Sequence, residues 1–143
     1  MLVVLQLGAI LLLIRPLGDF LPPAGGVAWL GAMIVFLSMP LALWALLSMN
    51  RETLSVFPEP RMAGILVANG PYRYVRHPMY NAVLLGGTGA VLVHQSLWHL
   101  VTLAALVGVM IIKIHREEAL LLQHYPHYAN YAARTSRLIP GVW

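Results

Sequence analysis

The chain contains no cysteine among its 143 residues, and only 10% of them are charged. The absence of cysteine excludes disulfide bonds, thiolate metal sites and a cysteine nucleophile. A soluble domain usually carries about 25% charged residues, so this chain lacks much of the polar surface that water requires. Because 59% of the residues are hydrophobic, the composition predicts a protein whose surface faces lipid.

The length predicts one compact domain over residues 1–143. The formal net charge of +4 would suit either nucleic acid or anionic lipid. The basic residues flank apolar stretches and form no basic run, which favours a role in membrane topology. We therefore expect membrane lipids as partners and no nucleic acid.

Four apolar runs predict an all-α, polytopic membrane fold with about four transmembrane helices and a short amphipathic helical tail. The first two lie within residues 1–49, and the clearer of them, Val27–Met49, carries no charge. The other two, 78–93 and 97–112, are separated by a tripeptide and predict a helical hairpin over residues 78–113. Uncharged runs of such length are typical of helices that cross a bilayer.

Two polar segments complete the pattern: a connection over residues 50–77 and a tail over residues 114–143. Within the tail, Pro126 separates two short predicted helices, of which the first lies near 116–124. All nine lysines and arginines except Arg15 lie in these segments or at the end of the hairpin. Basic residues favour the cytoplasmic side. The bias predicts both polar segments and both termini on the cytoplasmic side of the inner membrane.

Two features of the predicted hairpin indicate how its residues pack. Small residues recur at Ala82, Gly86 and Ala90, every fourth position, which predicts that another helix packs closely against this stripe. Lys113 ends the second run, and we interpret it as a lysine that snorkels to the membrane interface.

The first polar block that could form part of a functional site runs from Gly70 to Tyr80. Pro78 favours a first helical position, which places His77 at the helix N-cap. Helix N-termini carry partial positive charge, and Arg76 adds a full charge, so this block suits a carboxylate or a developing anion. The alternative is that the arginines anchor to lipid headgroups and His77 merely caps the helix.

The second block begins with Glu117 and Glu118 directly after an apolar run, where carboxylates need partners. Adjacent helical residues point in different directions, so one could face a ligand and the other an arginine. Tyr128, Tyr131 and Arg134 recur at a spacing of three and share a helical face, which suits a flat ring and a carboxylate. The alternatives are a solvated helix end and an interfacial aromatic belt.

In their order, these motifs resemble the isoprenylcysteine carboxyl methyltransferase family, and the related phospholipid methyltransferases share much of the pattern. The resemblance covers roughly residues 64–140 and rests on Gly70-Pro71-Tyr72, Arg76-His77-Pro78-x-Tyr80, Glu117-Glu118-x-x-Leu121, Tyr128-x-x-Tyr131-x-x-Arg134 and Pro140. It implies an integral membrane enzyme that binds S-adenosylmethionine at the cytosolic ends of its helices. The acceptor would be a lipophilic small molecule from the bilayer, methylated at a carboxylate, thiol, amine or lipid headgroup.

The resemblance also implies roles for single residues. Arg76 and Arg134 would act at the junction of cofactor and substrate as the catalytic residues, with no metal involved. The residues implied in cofactor binding are His77, Tyr80, Glu117, Glu118, Tyr128 and Tyr131. The chain departs from the family at Ala82, where glycine is frequent, and at His124–Tyr128, where the family usually has a Phe-Gly-x-Glu-Tyr type of sequence.

Two other functions compete with this one. Six histidines are present, and histidines in membrane proteins can bind haem or metal. The predicted topology argues against a shared site, because His94 and His99 fall at one side of the membrane and the others at the opposite side. A non-catalytic accessory protein is the remaining alternative.

Overall fold

The computed structural model describes residues 1–15, 25–49 and 66–141. This part of the chain is helical and contains no β-strand, which confirms the predicted all-α class at that level. Most of the predicted connection, residues 50–65, lies outside the described residues. The elements are α1 (Leu2–Ile14), α2 (Gly26–Leu47), a 3₁₀ turn (Gly70–Arg73), α3 (Pro78–His94), α4 (Leu97–His124) and α5 (Tyr128–Ala132).

Two of the described helices, α2 and α4, are long and apolar enough to cross a membrane. The helix α1 is apolar but shorter, and α3 has 17 residues. Membrane character is therefore supported, whereas the predicted count of four spans is not confirmed by length and composition.

The apolar run over 97–112 does not form a helix of its own, and the prediction of a separate helix over 116–124 is wrong. Instead α4 runs without interruption for 28 residues to His124. The helix continues because Ile114 and Glu118 face inward and are buried, so its packed face extends beyond the apolar run. It ends at Tyr125, whose backbone is extended, as expected for a residue before proline.

The helices α2 and α3 touch at their backbones. A Cβ atom added to Gly31 would lie 2.7 Å from the carbonyl oxygen of Gly89, and one added to Gly89 would lie 2.7 Å from that of Gly31. The prediction that another helix packs closely against small residues of α3 is therefore confirmed. The close contact lies at Gly89 and not at Ala90, which packs against the core instead.

Helix α1 packs against α4, and Leu13, Leu106 and Met110 form the core between the helices. Lys113 is only 3% exposed, and its Nζ atom donates a hydrogen bond of 2.5 Å to Oε1 of Gln6 in α1. The interpretation of Lys113 as a snorkelling residue is therefore wrong: the ammonium group is held inside the helical bundle.

Candidate functional site

The two polar blocks meet at one end of the α3–α4 hairpin. Val75 and Ser136 form a parallel β-bridge. The backbone N–H of Arg76 donates to the carbonyl of Ser136 at 2.8 Å, and that of His77 donates to the carbonyl of Arg137 at 3.1 Å. The structure therefore brings together the segments that sequence reasoning expected to converge.

His77 occupies the N-cap of α3, as predicted, but its side chain makes no capping hydrogen bond. The ring stacks on Tyr80, with centroids 5.3 Å apart and planes inclined by 4°. Its Nδ1 atom lies 3.8 Å from Oε2 of Glu117, and its Nε2 atom lies 3.4 Å from Oε1 of Glu118. The imidazole is thus directed at the two glutamates and not at the helix end.

Glu118 is the buried centre of the site. Its Oε1 accepts a hydrogen bond of 2.6 Å from Nε of Arg76, and its Oε2 accepts one of 2.9 Å from Nε of Arg137. Arg76 also donates to the carbonyl oxygens of Ala132, at 2.9 Å, and Thr135. Because a buried charge needs partners, this network fixes the tail against α4.

Glu117 has a different environment. Its side chain is 28% exposed, and its Oε2 accepts a hydrogen bond of 2.8 Å from the hydroxyl of Tyr80. Within the described residues, no group donates a hydrogen bond to its Oε1. The expectation that one of the two carboxylates faces an arginine is met by Glu118, whereas Glu117 keeps one oxygen without a donor in the described part of the chain.

The aromatic residues of the tail are buried beside these carboxylates. The hydroxyl of Tyr131 donates to the carbonyl of Tyr72 at 2.7 Å, and the Tyr128 and Tyr131 rings lie 5.8 Å apart. The hydroxyl of Tyr128 is buried without a hydrogen-bond partner in the described part of the chain. Burial raises the pKa of Tyr128, and it raises the pKa of Tyr131 to about 12, so both phenols stay protonated.

Arg134 lies on the exposed surface, where its side chain forms no ion pair with the residues that the structure describes. Arg137 contacts Glu118 instead, and Asn81 donates from Nδ2 to the carbonyl of Leu138. Sequence reasoning singled out neither Arg137 nor Asn81. No helical spacing could show which arginine turns inward, because α5 ends at Ala132.

An apolar cavity of about 580 Å³ lies between α1, α2 and α3. Its lining includes Ala82 and Val83, close along α3 to Tyr80, and extends to His94 at the last residue of α3. The volume falls in the range of small-molecule pockets. The cavity therefore offers room for a hydrocarbon group near the polar site.

The histidines His94 and His99 stack at the end of the hairpin away from His77, with ring centroids 4.2 Å apart. Nε2 of His99 lies 3.1 Å from the carbonyl oxygen of Arg15. Within the described ranges, no three histidine, aspartate or glutamate side chains are grouped so that they could hold a metal ion.

We predict that Tyr128→Phe has opposite effects on stability and on ligand binding. Removing a buried hydroxyl that has no partner should leave the free energy of unfolding unchanged or raise it by about 1 kcal/mol. A ligand that uses this hydroxyl should bind roughly tenfold more weakly. Thermal unfolding and calorimetry measure the two effects. The control is Tyr131→Phe, which removes a hydrogen bond that is already formed and should lower stability; a stability loss in Tyr128→Phe of similar size would contradict the prediction.

Comparison with known proteins places the chain in a family. The model of the phospholipid methyltransferase family matches residues 27–128. The cobalt-zinc-cadmium resistance protein CzcN of Cupriavidus metallidurans is 31% identical over 99 residues, which cover 68% of this chain and 46% of the relative. The nickel-cobalt-cadmium resistance protein NccN of Alcaligenes xylosoxydans xylosoxydans is 27% identical over 115 residues, covering 80% of this chain and 53% of the relative.

The chain thus spans about half the length of the curated relatives that it matches. No solved structure matches it. On the strength of the family match, the chain belongs to the phospholipid methyltransferase family, the family of the isoprenylcysteine carboxyl methyltransferase-like membrane methyltransferases.

Proposed function

We propose that this chain is an integral membrane methyltransferase that moves a methyl group from S-adenosylmethionine to a small lipophilic acceptor. The observation that carries the proposal is the junction of the two polar blocks around Glu118, which leaves unfilled hydrogen-bonding groups in one place. These groups are the hydroxyl of Tyr128 and Oε1 of Glu117. We further propose that the site lies at the cytoplasmic face of the inner membrane, with both termini on that side.

The residues present fit the cofactor. Buried polar atoms without partners are rare in folded proteins, so the Tyr128 hydroxyl suggests a missing polar ligand. S-adenosylmethionine carries a carboxylate, an ammonium group, ribose hydroxyls and a flat adenine ring. Phenol and imidazole groups suit the carboxylate and the hydroxyls, the open Glu117 oxygen suits the ammonium or the ribose, and the aromatic rings suit adenine.

The two glutamates receive different roles in this proposal. Both oxygens of Glu118 are already engaged by arginines, so Glu118 is a positioning residue that holds the site together. Glu117 is the carboxylate that contacts the cofactor, with Tyr80 orienting it. Tyr80, His77, Tyr128 and Tyr131 complete the cofactor-binding set.

When bound, the cofactor supplies an electrophilic methyl group on a sulfonium. Methyl transfer is an in-line displacement, so the alignment of the reactants and fixed charge matter more than a strong base. Arg76 provides a fixed positive charge, because three acceptors hold its guanidinium. Arg134 has an exposed guanidinium available to an anionic group of the acceptor.

A lipophilic acceptor is supported by the apolar cavity between α1, α2 and α3. A hydrocarbon group in this cavity would have one end near Ala82, a short distance along α3 from Tyr80. The acceptor's reactive atom would then lie on the polar side, at a carboxylate, thiol, amine or lipid headgroup.

A metal-linked role is the second candidate, because two relatives are named for metal resistance. Its support in this chain is the stacked pair His94 and His99, in which Nδ1 of His99 is buried without a hydrogen-bond partner in the described part of the chain. The described residues group no third histidine or carboxylate with this pair. The family match over residues 27–128 and the lack of a third ligand among the described residues favour the methyltransferase.

Calorimetry of the detergent-solubilised protein with S-adenosylhomocysteine tests the proposal. We expect the wild-type chain to bind it, and Glu117→Gln to bind about 10- to 100-fold more weakly, because one charge-assisted hydrogen bond is lost. The matched control is Arg116→Gln, an exposed neighbour on the same turn, which should bind as the wild type does. Absence of binding heat in folded wild-type protein would overturn the proposed function.

A further inference from the structure

Lys113 is a buried lysine that the proposed function does not yet use. It lies on α4, one helical turn before Glu117, and is 3% exposed. Its Nζ atom donates to Oε1 of Gln6 at 2.5 Å and lies 5.1 Å from the centroid of the Tyr80 ring. Lys113 forms no ion pair with any carboxylate in the described ranges.

An ammonium group in this position needs a physical reason. A charged side chain inside a membrane bundle is costly, and a leucine or methionine would fill the same space without that cost. Lysines near helix ends ordinarily extend their charge to the interface. Here Gln6 of α1 holds the charge inward, over the ring of Tyr80.

The position of Tyr80 connects this lysine to the site. A cation near an aromatic ring face is attracted by the negative charge of that face, and the attraction grows when both groups are shielded from water. Tyr80 also stacks on His77, and its hydroxyl donates to Oε2 of Glu117 at 2.8 Å. A shift of the ring would therefore move the hydroxyl that orients Glu117.

We propose that Lys113 is a positioning residue: anchored by Gln6, it fixes the Tyr80 ring and thereby directs the open oxygen of Glu117 at the cofactor. The inference rests on the proposed function and adds α1 to the elements that build the site. Lys113 itself does not contact the reacting atoms.

A double-mutant cycle tests whether Lys113 acts through the Tyr80 hydroxyl. Affinity for S-adenosylhomocysteine is measured for the wild type, Lys113→Met, Tyr80→Phe and the double variant. We expect Lys113→Met to weaken binding about tenfold and Lys113→Arg, which retains the cation, by about threefold or less. In the Tyr80→Phe background, Lys113→Met should cause no further loss.

Two binding results would overturn the inference while leaving the proposed function intact. One is an unchanged affinity in folded Lys113→Met, and the other is losses that add in the double variant. A wild-type chain that binds no ligand overturns the proposed function instead. In that case the contact between Lys113 and Tyr80 is tested by thermal unfolding without ligand. The melting temperatures of Tyr80→Leu, Lys113→Met and the double variant are compared with that of the wild type. Losses that add show that the two side chains do not interact.

Discussion

Replacing Glu118 with glutamine is expected to lower the free energy of unfolding by about 3–5 kcal/mol and to abolish binding of S-adenosylhomocysteine. Arg76 and Arg137 both depend on this carboxylate, and both would lose an ionic partner inside a buried site. The glutamine amide can accept from one arginine, but its NH₂ group would then face the other. Thermal unfolding in detergent and calorimetry measure the two losses.

The control for this variant is its neighbour. Glu117→Gln removes the same charge from a more exposed side chain whose bond to Tyr80 can persist, so the free energy of unfolding should change by about 1 kcal/mol or less. Limited trypsin digestion gives a second measurement, because release of the tail should expose the bond after Arg137 in Glu118→Gln only. Equal stability of the two variants would contradict the assignment of Glu118 as the organising residue.

The second large effect is expected at the contact of α2 with α3. Gly31→Ala places a Cβ atom 2.7 Å from the Gly89 carbonyl oxygen and 2.8 Å from the Val93 nitrogen, and backbone atoms cannot move aside. The helices must separate, and overpacking of this kind costs about 1–3 kcal/mol or more. We expect a lower melting temperature and weaker ligand binding, because α3 carries Tyr80 and begins directly after His77.

Gly108→Ala provides the matched comparison, since it makes the same change on α4 at a position where nothing lies within 4 Å of the added Cβ atom. Alanine favours the helix over glycine by about 1 kcal/mol, so this variant should melt at the wild-type temperature or above it. If Gly31→Ala and Gly108→Ala melt alike, the backbone contact between α2 and α3 does not exist in the protein.

Sequence reasoning located features that depend on local chemistry. Pro78 marked the start of α3 and Pro126 the break before α5, because proline restricts the backbone wherever it occurs. The convergence of the two polar blocks followed from the short connection between α3 and α4, which returns the chain to the same side of the bundle.

Features that depend on partners distant in the sequence could not be found. The charges after residue 112 looked like the end of a helix, but Arg76 and Arg137 neutralise Glu118 and allow α4 to continue. Lys113 looked like an interfacial residue because its acceptor, Gln6, lies on α1. The inward turn of Arg137 in place of Arg134 is set by the bridge to Val75, which no helical periodicity encodes.

The parallel bridge between Val75 and Ser136 also determines when the site can form during synthesis of the chain. It closes a loop of about 60 residues that contains the whole α3–α4 hairpin. A ribosome-bound chain that has completed α4 already carries Arg76 and Glu118, but Arg137 has not yet been translated. The pocket therefore cannot close until α4 has been synthesised and the segment that contains Ser136 and Arg137 has left the ribosome.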